Sequence, residues 1–145
     1  MDKFDQDIIA ILTKSGRRSV SEIAREVNLS RTAVTARIKR LEEEGVILGY
    51  HATVARPESQ VTAYMALHFD TSNADYSCEK YSAIIEKIPE VQWMDIISGE
   101  TDMMLFVEAK SMQRLNQIRD DLQKLPYLRH LITHTVLNTF FNRRF

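Results

Sequence analysis

Two helix-start signals, Ser19 and Ser30, flank a helix-stopping Asn28 in the run SVSEIAREVNLSRTAVTARIKRLEEEG, residues 19–45. This spacing predicts two short helices joined by a tight turn. Ser19 accepts from backbone N–H groups of the first turn while Glu22, three residues on, reaches back, the reciprocal pattern of a capping box. Asn28 tolerates the left-handed conformation, which ends the first helix and turns the chain. Ser30 then caps a second helix. Val34, Ile38 and Leu41 give that helix one buried stripe, and Gly45 supplies its stop.

What this leaves outward is Arg31, Thr32, Thr35, Ala36, Lys39 and Arg40. Short polar side chains near a helix N-terminus reach base edges, while Arg and Lys neutralise phosphates, so the pattern is that of a helix lying in the major groove of double-stranded DNA. Arg31, Thr32 and Thr35 are expected at the bases, and Ser30 among the DNA-binding residues. Arg37, Lys39 and Arg40 are expected on phosphates or in helix packing, and Arg17 and Arg18 add to the basic surface. Between residues 14 and 40 eight basic side chains stand against two acidic ones, whereas the whole chain carries a net charge of −1. Such a concentrated footprint argues for a specific polyanion-binding surface rather than a general affinity. Glu42, Glu43 and Glu44 follow, able to pair with Lys39 and Arg40 and to repel phosphate at that end.

The chain of 145 residues, 44% apolar, is long enough to bury real cores as one domain or two small ones. It has no run of 18 apolar residues and no cationic-then-apolar leader, so a cytoplasmic protein without a membrane span is expected. The single Cys78 has no internal disulfide partner, in keeping with a reducing compartment, and is expected to pack a helix. His51, His68, His130 and His134 are scattered without chelating spacing, so no metal or other cofactor is expected. Neither a nucleophile with a supporting base nor a phosphate loop occurs, and an enzyme is not expected.

A first helix, capped by Asp2 with Asp5 at its third position, turns Phe4, Ile8, Ile11 and Leu12 toward the two helices already described. Residues 1–45 then form one helix-turn-helix head. The run from Val46 to Val54 is rich in β-formers and reads as an extended strand, and Arg56-Pro57-Glu58-Ser59 marks a boundary, giving a strand linker over 46–60. From residue 61 strands and helices alternate. Val61, Ala63, Met65, Leu67 and Phe69 have period two; Tyr81, Ile84, Ile85 and Ile88 mark a helix; strands follow through 93–97 and 102–109; Leu115, Ile118, Leu122 and Leu125 mark another helix. A helix-Pro-strand junction recurs at Pro89 and Pro126. Two interleaved strand-helix-strand units give an α+β fold, the ferredoxin-like βαββαβ arrangement, over residues 61–145.

That arrangement places both helices on one face of the sheet, yet the third strand is apolar on both faces: Met103, Leu105 and Val107 on one, Met104 and Phe106 on the other. A second copy of the same sheet is the economical cover, and a two-fold dimer presents two recognition helices to a palindromic site. The turn Ser98-Gly99-Glu100-Thr101-Asp102 admits two readings. In one, Gly99 lets a ligand approach the backbone and Asp102 accepts from an α-ammonium group. In the other it is a hairpin turn with Gly99 at positive φ and Asp102 bonding the backbone. Thr133 and Thr135, on one face of the last strand, can supply hydroxyls.

Taken in order, Asp2 with Asp5, Gly16-Arg17, Ser19 with Glu22, Leu29-Ser30, Arg37-Ile38-Lys39-Arg40-Leu41-Glu42, Gly45-Val46-Ile47, Gly49-Tyr50 and Gly99 with Asp102 are similar to the leucine-responsive regulatory protein/asparagine-regulator (Lrp/AsnC, feast/famine) family of transcription factors. The resemblance covers essentially the whole chain. It implies a winged or extended helix-turn-helix head, a strand linker, and a C-terminal domain that senses an amino-acid effector near the Gly99 turn and builds dimers, then octamers or higher assemblies. Asn28 stands where the family usually has glycine, and Arg56-Pro57-Glu58-Ser59-Gln60 lacks the Leu-Gly common after its proline. The expected function is sequence-specific, effector-responsive transcriptional regulation; the alternative is a nucleoid-associated architectural DNA-binding protein with little effector dependence.

Overall fold

The computed structural model describes residues 1–57 and 60–142, so Glu58 and Ser59 of the expected linker lie outside the described residues. The chain divides into two compact units, Met1–Val54 and Ala55–Phe145.

Unit one contains three helices, α1 (Lys3–Lys14), α2 (Val20–Val27) and α3 (Arg31–Glu43). Both capping boxes form: Asp2 with Asp5 on α1, and Ser19 with Glu22 on α2. Each satisfies two of the amide donors that a helix start leaves orphaned, and a side-chain N-cap typically contributes about 1 kcal/mol. Asn28 adopts φ 56°, ψ 43° and ends α2, and α3 ends before Gly45 at φ 69°. The Val46 N–H then reaches back to the Leu41 carbonyl at 2.9 Å, which satisfies one of the last carbonyls of the helix. Ile8, Ile23, Ala24, Val27 and Val34 form the core, with Ile11, Leu12, Val20, Leu29 and Ile38 packed against it. Phe4 stays partly exposed instead of entering this core, with the Arg37 guanidinium over its ring at 5.4 Å.

The run 46–54 corrects the expectation of a strand. Its β-forming residues have no partner strand among the described residues of the unit, and an extended segment without a ladder is not a strand. Leu48 and Val54 are left exposed. No β-hairpin wing accompanies the three helices among the described residues.

Unit two runs β1 (Val61–Phe69), α4 (Cys78–Ile85), β2 (Val91–Ile96), β3 (Met103–Ala109), α5 (Met112–Leu122) and β4 (Leu128–Thr135). The strands form one antiparallel sheet in the order β2-β3-β1-β4, the ferredoxin-like topology that the repeat around Pro89 and Pro126 predicts. Ala63, Met65, Leu67 and Phe69 of β1 join Met103, Leu105, Val107 and Ala109 of β3 beneath Tyr81, Ile85, Leu115, Ile118 and Leu122 of the two helices. Ile84, expected in the buried stripe of α4, is instead 47% exposed, and Ile88 packs on the core from the turn beyond the helix. Cys78, at the start of α4, packs against the same core.

The opposite face is only partly covered within the unit. Phe106 is buried by Trp93, stacked at 4.2 Å, by Tyr64 at 5.0 Å and by the Arg56 guanidinium, 5.6 Å from its ring. Arg56 is held there by Glu108 at 2.6 Å. Tyr64 and Ile132 remain exposed on this face, and beside Trp93 and Phe106 a cavity of about 150 Å³ opens toward Val136 and Phe141.

Candidate nucleic-acid interface and ligand turn

The N-terminus of α3 is capped by its own side chain. Ser30 Oγ accepts the Ala33 N–H at 3.1 Å, and the exposed positions that follow are Arg31, Thr32, Thr35, Ala36, Lys39 and Arg40. The Thr35 hydroxyl donates to the Arg31 carbonyl at 2.9 Å, so outward it offers an acceptor and a methyl group. Either can read a base edge, the acceptor from an amino group and the methyl against thymine.

The eight basic residues between 14 and 40 divide into two sets. Arg37 Nη1 donates to Asp2 Oδ2 and to Asp5 Oδ1, both at 2.8 Å, and Arg40 Nη2 donates to Asp5 Oδ2 at 2.7 Å. Arg18 turns back onto α2, 2.7 Å from Glu26 and 3.6 Å from Glu22. These three are occupied inside the unit. Lys39 has only a loose, exposed pairing with Glu43 at 3.7 Å, which contributes little. Lys14, Arg17, Arg25 and Arg31 are exposed and make no ion pair among the described residues, although Arg25 lies close enough to Glu22 to help the Ser19 N–H hold that carboxyl below the ordinary value. Lys14 and Arg25 thus stand with Arg17 as cations outside any ion pair, although the helix pattern alone did not single them out; their signal was only the local charge excess.

Electrostatics reinforce the division. The Asp2 carboxyl is held below its ordinary value by the Asp5 N–H and by Arg37, and that of Asp5 by the Asp2 N–H, then by Arg37 and Arg40. The same carboxylates raise Arg37. Asp5 is fully buried and so depends on these partners.

The second candidate site is the turn between β2 and β3. Gly99 has φ 114°, and no atom lies within 4 Å of where a Cβ would stand, so the glycine serves the turn and leaves the space beside it open. Ser98, Gly99 and Glu100 are exposed, Thr101 and Asp102 half-buried. The Asp102 N–H donates to the Leu67 carbonyl at 2.9 Å, and Asp102 Oδ2 accepts the Phe69 N–H at 2.7 Å, extending the β1–β3 ladder by one side chain. His68 Nδ1 lies 3.3 Å from the same oxygen, a neighbour that its distance in sequence concealed. Oδ1 makes no hydrogen bond among the described residues.

The two threonines are not gathered at this turn. Thr133 is opposite Met65 and Thr135 opposite Ala63, with β1 between them and β3, a separation of about 10 Å at two inter-strand spacings. Both lie on the helix-facing side, and Thr133 Oγ1 is buried without a hydrogen-bond partner among the described residues. Among the described residues no three His, Cys, Asp or Glu side chains are grouped to hold a metal ion, and no helix is long and apolar enough to cross a membrane.

Comparison with known proteins identifies the family of both units. Residues 1–47 match winged helix-turn-helix DNA-binding domains, and residues 62–144 match the Lrp/AsnC ligand-binding domain. The HTH-type transcriptional regulator LrpA of Mycobacterium tuberculosis is 31% identical over 99% of this chain and 95% of its own length. Among solved structures, a feast or famine regulatory protein of M. tuberculosis complexed with L-methionine is 31% identical, with a TM-score of 0.86 over 99% of this chain and 96% of that one. A transcriptional regulator of Neisseria meningitidis in complex with L-methionine is 25% identical, with a TM-score of 0.87 over 98% and 93%. These relatives are regulators and not enzymes. The chain belongs to the Lrp/AsnC family of helix-turn-helix transcriptional regulators, each with a DNA-binding head and a ligand-binding domain.

Proposed function

We propose that residues 1–45 read a DNA sequence through α3, that residues 46–60 link, and that residues 61–145 bind an amino-acid effector and assemble the protein. Arg31, Thr32 and Thr35 contact bases; Ser30 and the first turn of α3 receive a phosphate; Lys14, Arg17, Arg25 and Lys39 neutralise others. The observation that carries this reading is the sorting of the basic residues, which leaves Arg31 free at the N-terminal end of an exposed helix face.

Asp102 and the turn Ser98–Thr101 form the effector site. The ligand's ammonium meets Asp102 Oδ1, and its carboxylate and side chain occupy the open space at Gly99. Two relatives bound to L-methionine support an amino acid as the class of effector. The open sheet face, with Tyr64 and Ile132 exposed, is covered by a second copy, and dimers combine into octamers or larger assemblies as effector occupancy dictates. The protein acts in the cytoplasm, where its DNA is.

A thermal-shift screen over the amino acids tests the sensing half of this proposal. A ligand that binds only the folded protein at a hundredfold excess over its Kd raises stability by about 2.7 kcal/mol. One amino acid, or a small chemically related group, is expected to raise Tm by several degrees. No shift from any of them at millimolar concentration removes the effector reading.

A further inference from the structure

The carboxylates that start α1 do more than cap it. Asp2 and Asp5 exchange backbone N–H bonds at 3.0 Å, and the same four oxygens also receive two arginines one turn apart on α3. Arg37 bridges both carboxylates through Nη1 and lies over Phe4; Arg40 reaches the second oxygen of Asp5. Two of the cations on a recognition helix are thereby neutralised from within. Lys39, between them in sequence, points away and is 74% exposed.

We propose that Asp2 and Asp5 hold Arg37 and Arg40 off the DNA backbone and so set the sequence-independent part of the affinity for DNA, random sequence included. The proposal rests on α3 being the recognition helix. Non-specific affinity comes almost entirely from phosphate neutralisation, whereas base contacts carry the sequence information. Each arginine kept from phosphate lowers affinity for all DNA alike while leaving the contacts of Arg31, Thr32 and Thr35 in place. Releasing the arginines on binding would strand Asp5, fully buried, without its counterions, so the clamp stays closed on DNA. The clamp also fixes the rotation of α3 about its axis, because Arg37 and Arg40 must both face α1.

The test compares the salt dependence of random-duplex binding by full-length wild type, Asp2→Asn/Asp5→Asn and Arg37→Gln/Arg40→Gln. Asparagine caps helices as well as aspartate does, so the first variant removes charge and keeps the cap. With helicity unchanged by circular dichroism, its slope of log K against log salt is expected to steepen by about 1.8 per head. Its gain in random-DNA affinity between 200 and 50 mM salt then exceeds that of wild type by about twelvefold. Adding Arg37→Gln/Arg40→Gln should restore the wild-type slope, and that pair alone in the wild-type background should leave it unchanged. A slope flattened by about 1.8 per head in Arg37→Gln/Arg40→Gln overturns the proposal, as does an unchanged slope in folded Asp2→Asn/Asp5→Asn. If either pair of substitutions alone does not fold, the fourfold variant, which leaves no buried charge unpaired, decides against wild type: an equal slope supports the proposal and a slope flattened by about 1.8 per head overturns it. A wild type with no salt-dependent DNA binding at all refutes the recognition-helix reading, and this proposal with it.

Discussion

Asp102 Oδ2 accepts the backbone N–H of Phe69 at 2.7 Å, so the residue proposed to meet the effector is at the same time a member of the sheet. One carboxylate oxygen extends the ladder, and the other makes no hydrogen bond among the described residues. On the proposed reading this holds the carboxylate in place before an effector arrives, and preorganisation lowers the entropic cost of binding.

The dual role can be separated by substitution. Asp102→Asn keeps an acceptor for Phe69 and removes the charge that meets an ammonium group. It should melt close to wild type yet lose about 1.5 to 3 kcal/mol of effector binding, roughly 10- to 150-fold in Kd. Asp102→Ala should in addition lose about 1 to 3 kcal/mol of stability, because the half-buried N–H loses its partner. Calorimetry and thermal melts on both variants measure this; equal effector affinity in all three proteins would leave Asp102 a turn residue only.

Arg31 and Lys39 should behave differently on DNA. Arg31→Ala should cost about 1 to 3 kcal/mol on the preferred sequence and relax the choice of base at one position. Lys39→Ala should weaken preferred and random duplexes equally and flatten the salt slope by about one. A uniform loss across sequences for Arg31→Ala would assign it to phosphate.

Acid should loosen the DNA-binding head at its arginine clamp as well as at the Ser19–Glu22 cap, whose Glu22 carboxyl is also held below its ordinary value. Asp2 and Asp5 both have carboxyl groups depressed in the folded protein from an ordinary 3.8. A depressed group binds fewer protons folded than unfolded, so its stabilisation is complete above the unfolded value and is lost as pH falls through the folded one. Thermal melts of wild type should therefore decline below about pH 4, and Asp2→Asn/Asp5→Asn should show a shallower decline over that range. Identical pH profiles would mean that the pair contributes no linkage.

The open sheet face should be an assembly surface. Phe106 is buried within its own unit, so its replacement would damage the fold; Ile132, 55% exposed, and Tyr64, 41% exposed, are the cleaner probes. Ile132→Glu with Tyr64→Glu should convert the assembled protein to folded monomer in sedimentation at micromolar concentration. An assembly state unchanged by the pair would place the contact elsewhere.

Local features of the fold were legible in the sequence because their partners are close in the chain. The boxes at Asp2–Asp5 and Ser19–Glu22, the left-handed Asn28 and the Ser30 cap each depend on neighbours within four residues. The sheet was legible through its period-two strands and the repeat around Pro89 and Pro126. What spacing could not disclose was a second use of a group already assigned. Asp5 read as a cap, and nothing local says that its remaining lone pairs take Arg37 and Arg40 from another helix. The stretch 46–54 shows the converse: residue type favours a strand, but a strand also requires a partner, which composition does not supply. Likewise Thr133 and Thr135 share a face as alternation predicts, yet strand order sets them across β1 from the turn.

The most direct measurement of the whole account is equilibrium binding to a sequence selected from random duplexes, against an unselected duplex, at fixed salt with and without each amino acid. The selected sequence should bind at least about a thousandfold more tightly than random DNA, and at least one amino acid should change that affinity or the stoichiometry of the complex. Equal affinity for selected and unselected duplexes, unmoved by every amino acid, would contradict it.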